Sequence, residues 1–237
     1  MKTIKLWDLP LRVFHWLLAF LVVTAFVTGL TGGGLMDWHG RAGAAIAALL
    51  GFRLTWGFVG SIYSRFKTFV KGPASIATYL KGQWRGVGHN PLGALSVVGM
   101  LGILLLQVLT GLPSNDDVAF RGPYNVLVSK DIELLAIYLH KRLIWVLALL
   151  VLLHVAAVAY YTKIKGENLV KPMLTGLKEL PPSASGHATP VPEAKHGGFA
   201  PLILALCVAG IAAWLALGGP AKYLAPPPPP ATETPNW

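Results

Sequence analysis

The sequence predicts an all-α membrane protein: a four-helix transmembrane bundle followed by a fifth, C-terminal transmembrane helix. Two observations carry that expectation. The 237-residue chain is 54% hydrophobic and only 13% charged, with positive mean hydropathy, whereas soluble domains carry about 25% charged residues. Five apolar runs, at residues 13–31, 40–60, 92–112, 138–162 and 199–218, are each long enough to cross a hydrocarbon core about 30 Å thick.

The first run follows Trp7-Asp8-Leu9-Pro10, where Trp7 suits the headgroup layer and Pro10 a helix start. Gly29 and the Gly32-Gly33-Gly34 run are expected to end it. The second begins at Trp38-His39-Gly40. The third follows Asn90-Pro91 and stops near Gly111-Leu112-Pro113. The fourth carries His140 and His154. Residues 179–198 are expected to be a flexible linker and residues 219–237 a Pro-rich tail of extended polyproline. The fifth run, between them, lacks histidine, arginine and carboxylate, and is less secure as part of the core. The opening Met1-Lys2-Thr3-Ile4-Lys5 does not read as a cleaved signal peptide, because its apolar run comes later and lacks a cleavage site.

Charge sets the orientation. Lys2, Lys5 and Arg12, then Arg65, Lys67, Lys71, Lys81 and Arg85, then Lys163, Lys165, Lys171 and Lys178 all fall on one side if the spans alternate. The opposite loop holds Asp116, Asp117, Asp131 and Glu133 against Arg121 and Lys130. The positive-inside rule makes the N-terminus cytoplasmic, and an odd number of spans puts the C-terminus outside. The net charge of +10 does not point to nucleic acid, because the basic residues flank apolar runs instead of forming a patch. The lone cysteine, Cys207, excludes an intramolecular disulfide, covalent haem attachment and a cysteine-ligated iron–sulfur cluster.

Four histidines lie inside or at the ends of spans: His15, His39, His140 and His154. Fourteen residues separate His140 from His154, which returns both rings to nearly one helix face, roughly 21 Å apart along the axis. With spans one and four as oriented above, His15 can face His154 near the cytoplasmic side. His39 can face His140 near the outer side. Ionisable side chains at membrane depth are costly and usually kept for function. Two imidazoles at each of two levels suit a pair of six-coordinate b haems, which transfer electrons without an open iron position. Zinc is the competing metal, but pairs this far apart cannot form one zinc site, and neither level adds Cys, Asp or Glu within the spans. Gly40, Gly43, Ala44, Ala45, Ala47 and Ala48 would let a flat ring approach the backbone.

Haem propionates call for cations. Arg12, one turn before His15, suits the inner haem and Arg41, two residues after His39, the outer one, although snorkelling explains either. Arg53, deeper in span two, is a further candidate at the inner haem. His89 precedes Asn90-Pro91; it is either a polar residue at a helix entry or a contact for propionate, quinone or iron in place of His15. Trp16, Trp56 and Trp145 read as packing or interface residues.

The run Trp7-Asp8-Leu9-Pro10-Leu11-Arg12-Val13-Phe14-His15-Trp16 resembles the first-span signature of the bacterial dihaem cytochrome b561 and nickel–iron hydrogenase cytochrome b subunits. Phe52-Arg53-Leu54-Thr55-Trp56-Gly57-Phe58-Val59-Gly60, Gly88-His89-Asn90-Pro91, Leu153-His154-Val155 and Glu167-Asn168-Leu169 extend the resemblance, which covers about residues 5–178. It implies that residues 1–178 form a dihaem, quinone-linked four-helix domain with His15, His39, His140 and His154 as ligands. Many relatives have Glu after the fourth-span histidine, where this chain has Lys141. The fifth span, 199–218, and the tail lie outside the family pattern, where they could dock a partner or another copy of the chain.

The function expected is electron transfer in the bacterial inner membrane between the quinone pool and a periplasmic partner, with a c-type cytochrome favoured. A hydrogenase or other dehydrogenase subunit is the alternative partner. A stand-alone superoxide:quinone oxidoreductase, fed by a basic funnel of Arg41, Lys130, Lys141 and Arg142, is a second reading. A non-redox scaffold or transporter is a third. The direction of electron flow is not written in the sequence.

Overall fold

The computed structural model describes residues 2–84, 86–118, 120–180 and 197–225. Arg85, linker residues 181–196 with His187 and His196, and the tail from Pro226 onward lie outside the described residues. In chain order the elements are β1 (Lys2–Lys5), α1 (Leu9–Thr31), α2 (Met36–Val59), α3 (Phe66–Phe69), α4 (Pro73–Leu80), α5 (Pro91–Gly111), α6 (Lys130–Lys163), α7 (Val170–Thr175), β2 (Leu177–Leu180), α8 (Phe199–Ala216) and α9 (Ala221–Leu224). Five helices, corresponding to α1, α2, α5, α6 and α8, are long and apolar enough to cross a membrane.

Local chemistry sets the helix starts. Asp8 caps α1 by accepting from the Leu11 amide at 2.9 Å, and Asn90 caps α5 by accepting from the Gly93 amide at 2.7 Å. A proline follows each cap in the first turn. Two expected boundaries move. Gly29 does not end α1, which continues to Thr31. α6 begins at Lys130, so Asp131 and Glu133 belong to its first turn instead of a loop. That end of a helix favours carboxylates, and Glu133 also pairs with Lys130 at 2.6 Å. At 34 residues, α6 is about 51 Å long and overruns the hydrocarbon core.

α1 packs closely on α2, and α5 on α6; the two pairs meet chiefly where α2 touches α5. α8 packs along α2 more extensively than any other helix does. The span that the sequence leaves less secure as part of the core is therefore packed along α2. Small residues explain the close approach: a Cβ at Gly51 would lie 3.0 Å from Ala212 Cβ and 3.2 Å from the Val208 carbonyl oxygen. Gly197 abuts Trp56 and Gly60, and Ala216 packs with Ala44 and Ala47, so α8 runs antiparallel to α2. At its far end Gly218 abuts Pro123, and the Tyr124 hydroxyl donates to the Leu215 carbonyl at 2.8 Å.

A small antiparallel sheet joins β1 to β2, pairing Lys2 with Leu180 and Lys5 with Leu177. It ties the N-terminus to the segment after α6. Trp7, expected in the headgroup layer, is buried, with its ring centroid 4.7 Å from that of His89. Beside it, Asp8 is the centre of a buried polar cluster. Its second carboxylate oxygen accepts from Trp56 Nε1 at 3.0 Å and Ser64 Oγ at 3.3 Å, while Arg53 donates to the Ser64 carbonyl at 3.1 Å. One carboxylate thus joins the start of α1 to the end of α2 and the turn beyond it.

Asp8→Ala should lower stability by about 1–3 kcal/mol, because it leaves the Trp56 N–H and the α1 cap without their acceptor. Asp8→Asn, which keeps an acceptor for Leu11, should lose less. Thermal unfolding of the detergent-solubilised protein measures both.

Candidate functional site

The four span histidines come together in two pairs. His15 on α1 faces His154 on α6, with ring centroids 6.4 Å apart and planes at 53°. His39 on α2 faces His140 on α6, with centroids 6.0 Å apart and planes at 83°. Imidazoles facing at these separations would leave room between them for a metal held at about 2.0–2.1 Å from a nitrogen of each ring. Ordinary ring packing spans the same range, so hydrogen bonding and space must separate the two cases.

At the His39 level they do. His39 Nδ1 lies 2.8 Å from the Ala25 carbonyl oxygen, and His140 Nδ1 lies 3.0 Å from that of Gln107 and 3.2 Å from Thr110 Oγ1. A carbonyl carries no proton, so each Nδ1 is the donor. The remaining nitrogen, Nε2, keeps its lone pair, as in metal-bound histidines oriented by a second hydrogen bond. Both rings line a cavity of about 850 Å³ enclosed by α1, α2, α5, α6 and the end of α8. This is near the top of the usual range for cofactor sites. Gly40, Gly43 and Ala44 line it too, whereas Ala47 is packed toward α8, and Ala45 and Ala48 do not line it.

Charges of both signs line this cavity: Arg41 and Lys141 against Asp37 and Asp116. Arg41 also lies over Trp38, 5.3 Å from its ring centroid. Phe120, from the α5–α6 loop, sits against Gly40 and meets His39 edge-on. Buried Gln107 Oε1 has no partner among the described residues.

The His15 level is built differently. His15 Nδ1 is buried without a partner among the described residues, as is Arg12 Nε. Arg12 Nη1 donates to the Leu174 carbonyl, and Trp16 Nε1 donates to that of Met173 at 3.3 Å. Both side chains are thereby turned toward α7. Arg53 is engaged elsewhere: besides Ser64, its guanidinium lies 4.7 Å from the Phe66 ring centroid. His89 lies between Trp7 and Phe69, each ring centroid 4.7 Å away, with its Nδ1 buried and unpartnered among the described residues. Burial, then the nearby Arg53, His154 and His15, push its pKa down to about 3.

These features fit a b haem. The facing imidazoles of His39 and His140 would supply nitrogen donors, the cavity would supply volume, and Arg41 with Lys141 would supply cations for carboxylates. The orphaned His15 Nδ1 and Arg12 Nε are polar atoms left for a partner at the other level. Sequence reasoning missed the Ala25 and Gln107 carbonyls, Thr110, Phe120 and the α8 wall at Ala216 and Leu217. None has a spacing that ties it to a histidine along the chain.

The profile of the prokaryotic cytochrome b561 family matches residues 6–176, which includes both histidine pairs and excludes α8. A probable Ni/Fe-hydrogenase B-type cytochrome subunit of Rhizobium leguminosarum bv. viciae is 22% identical over 215 residues, covering 74% of this chain and 88% of the relative. A probable Ni/Fe-hydrogenase 1 B-type cytochrome subunit of Escherichia coli strain K12 is 22% identical over 218 residues, covering 72% and 88%. No solved structure matches the chain significantly.

The depressed pKa of His89 has a stability consequence. Its folded value lies below the ordinary 6.5, so as pH falls through that window the unfolded chain takes up the proton first and stability declines. His89→Phe should flatten the decline between about pH 6 and pH 4 while keeping the ring stack. Acid-unfolding profiles of the two proteins measure the difference.

Proposed function

The chain belongs to the prokaryotic cytochrome b561 family, a membrane electron carrier with haem b, and we propose that it links the quinone pool to a redox partner on the outer face through two haems. The observation that carries this reading is the pair of facing imidazoles at each of two levels on α6, roughly 21 Å apart. A b haem between two imidazoles supplies a one-electron couple with no open iron position.

Each residue has a definite task in this proposal. His15 and His154 bind one iron, and His39 and His140 the other. The Ala25 and Gln107 carbonyls hold the second pair in the tautomer that leaves Nε2 free. Arg41 and Lys141 neutralise the propionates at that level. Arg12, whose Nε lacks a partner among the described residues, serves the other. Arg53 is spent on Ser64 and the Asp8 cluster and takes no part.

For orientation we infer that the N-terminus is cytoplasmic in the bacterial inner membrane, since Lys5, Arg12, Lys67, Lys163 and Lys171 flank one end of the spans. The His39 level then lies toward the periplasm. Its partner would be a redox protein of that compartment, a c-type cytochrome or a dehydrogenase subunit; the relatives named as hydrogenase cytochrome subunits support the latter. The superoxide reading gains no support from the cavity, where Asp37 and Asp116 balance Arg41 and Lys141.

Single substitutions test the haem assignment. Reduced-minus-oxidised spectra should show that His39→Ala and His140→Ala remove one haem component, while His15→Ala and His154→Ala remove the other. Loss of one component by both His15→Ala and His39→Ala would overturn the pairing. A colourless wild-type protein would overturn the reading.

A further inference from the structure

His39 and His140 are held by the same device, built twice. On α1, the Ala25 carbonyl takes the His39 Nδ1 proton, and Gly29 follows four residues later. On α5, the Gln107 carbonyl takes the His140 Nδ1 proton, and Gly111 follows four residues later. A Cβ at Gly29 would lie 2.8 Å from both Cε1 and Nδ1 of His39. At Gly111 it would lie 3.1 Å from Cε1 and 3.4 Å from Nδ1 of His140. Neither glycine has a positive φ, so backbone conformation does not require them. A glycine inside a helix is destabilising relative to alanine. Space for an imidazole is what that cost obtains here.

We propose that Gly29 and Gly111 are positioning residues, each clearing the seat in which an imidazole rests against the neighbouring helix and donates Nδ1–H to the carbonyl one turn back. The proposal rests on the haem reading above and deepens it. The seats do two things. They fix the tautomer and raise the basicity of both Nε2 atoms. They also hold the ring planes at 83°, while the other pair, whose His15 Nδ1 has no partner among the described residues, stands at 53°. Near-perpendicular axial imidazoles leave the two iron orbitals of π symmetry almost equal in energy. A ferric low-spin haem then shows its greatest g anisotropy.

Electron paramagnetic resonance of the oxidised full-length protein, with an optical redox titration, tests this. Two low-spin signals are expected, and the more anisotropic should be the one that His39→Ala removes. Gly29→Ala should lower the largest g value of that signal, because any turn away from the perpendicular reduces it. It should also raise that haem's midpoint potential as the ligand loses its hydrogen bond. Gly111→Ala, with the milder clash, should do the same to a smaller extent, and the other haem should not move. Gly102→Ala, where an added Cβ meets nothing within 4 Å, should leave both signals unchanged. Loss of only the His39-level signal in Gly29→Ala also supports the seat. If Gly111→Ala and Gly29→Ala leave that signal and potential unchanged, or shift both haems together, the seats are refuted and the haem reading stands. A wild-type protein without two low-spin signals refutes the haem reading itself.

Discussion

An imidazole at membrane depth has two nitrogens, and lipid can satisfy neither. That constraint organises the centre of this protein. At the His39 level the Nδ1 atoms are satisfied by backbone carbonyls of α1 and α5, which commits both Nε2 atoms to accept. Because those carbonyls already serve their own helices, each uses its second lone pair, and a ring must come close to reach it. Gly29 and Gly111 supply the room.

The same constraint accounts for the arrangement of the helices. The α1–α2 and α5–α6 pairs pack tightly within themselves and more loosely against each other, which leaves the central cavity between the paired histidines. α8 closes a side of that cavity with Ala216 and Leu217. Its contact with α2 depends on small residues, Gly51, Ala44 and Ala47, of which Ala44 also lines the cavity. α2 therefore uses Gly40 and Gly43 for the cavity, Gly51 and Ala47 for α8, and Ala44 for both. At the opposite end the Asp8 cluster locks the start of α1 to the end of α2.

The two levels are unequal. One has hydrogen-bonded ligands, a large cavity and charges of both signs. The other has a buried His15 Nδ1 without a partner, an Arg12 turned toward α7, and the buried His89 nearby. Ligand basicity and local charge both tune a haem potential. Haems held at both levels, as proposed above, would differ in potential in such unlike surroundings.

Much of this was legible in the chain. Hydropathy alone gives five spans, because lipid demands long apolar helices whatever surrounds them. The fourteen-residue interval between His140 and His154 fixes two levels on one face, since helix geometry is local. Other features were decided only in three dimensions. Gly29 reads as a helix stop and is a space for a ring on another helix. Trp7 reads as an interface residue and is buried against His89. The fifth span reads as less secure within the core and is packed along α2. Arg53 reads as a further candidate cation beside Arg12 at one cofactor, yet it is bound to the Ser64 carbonyl within the Asp8 cluster. In each case the deciding partner lies outside the residue's own element. Periodicity records which way a side chain leaves its own helix, and tertiary packing alone chooses what it meets.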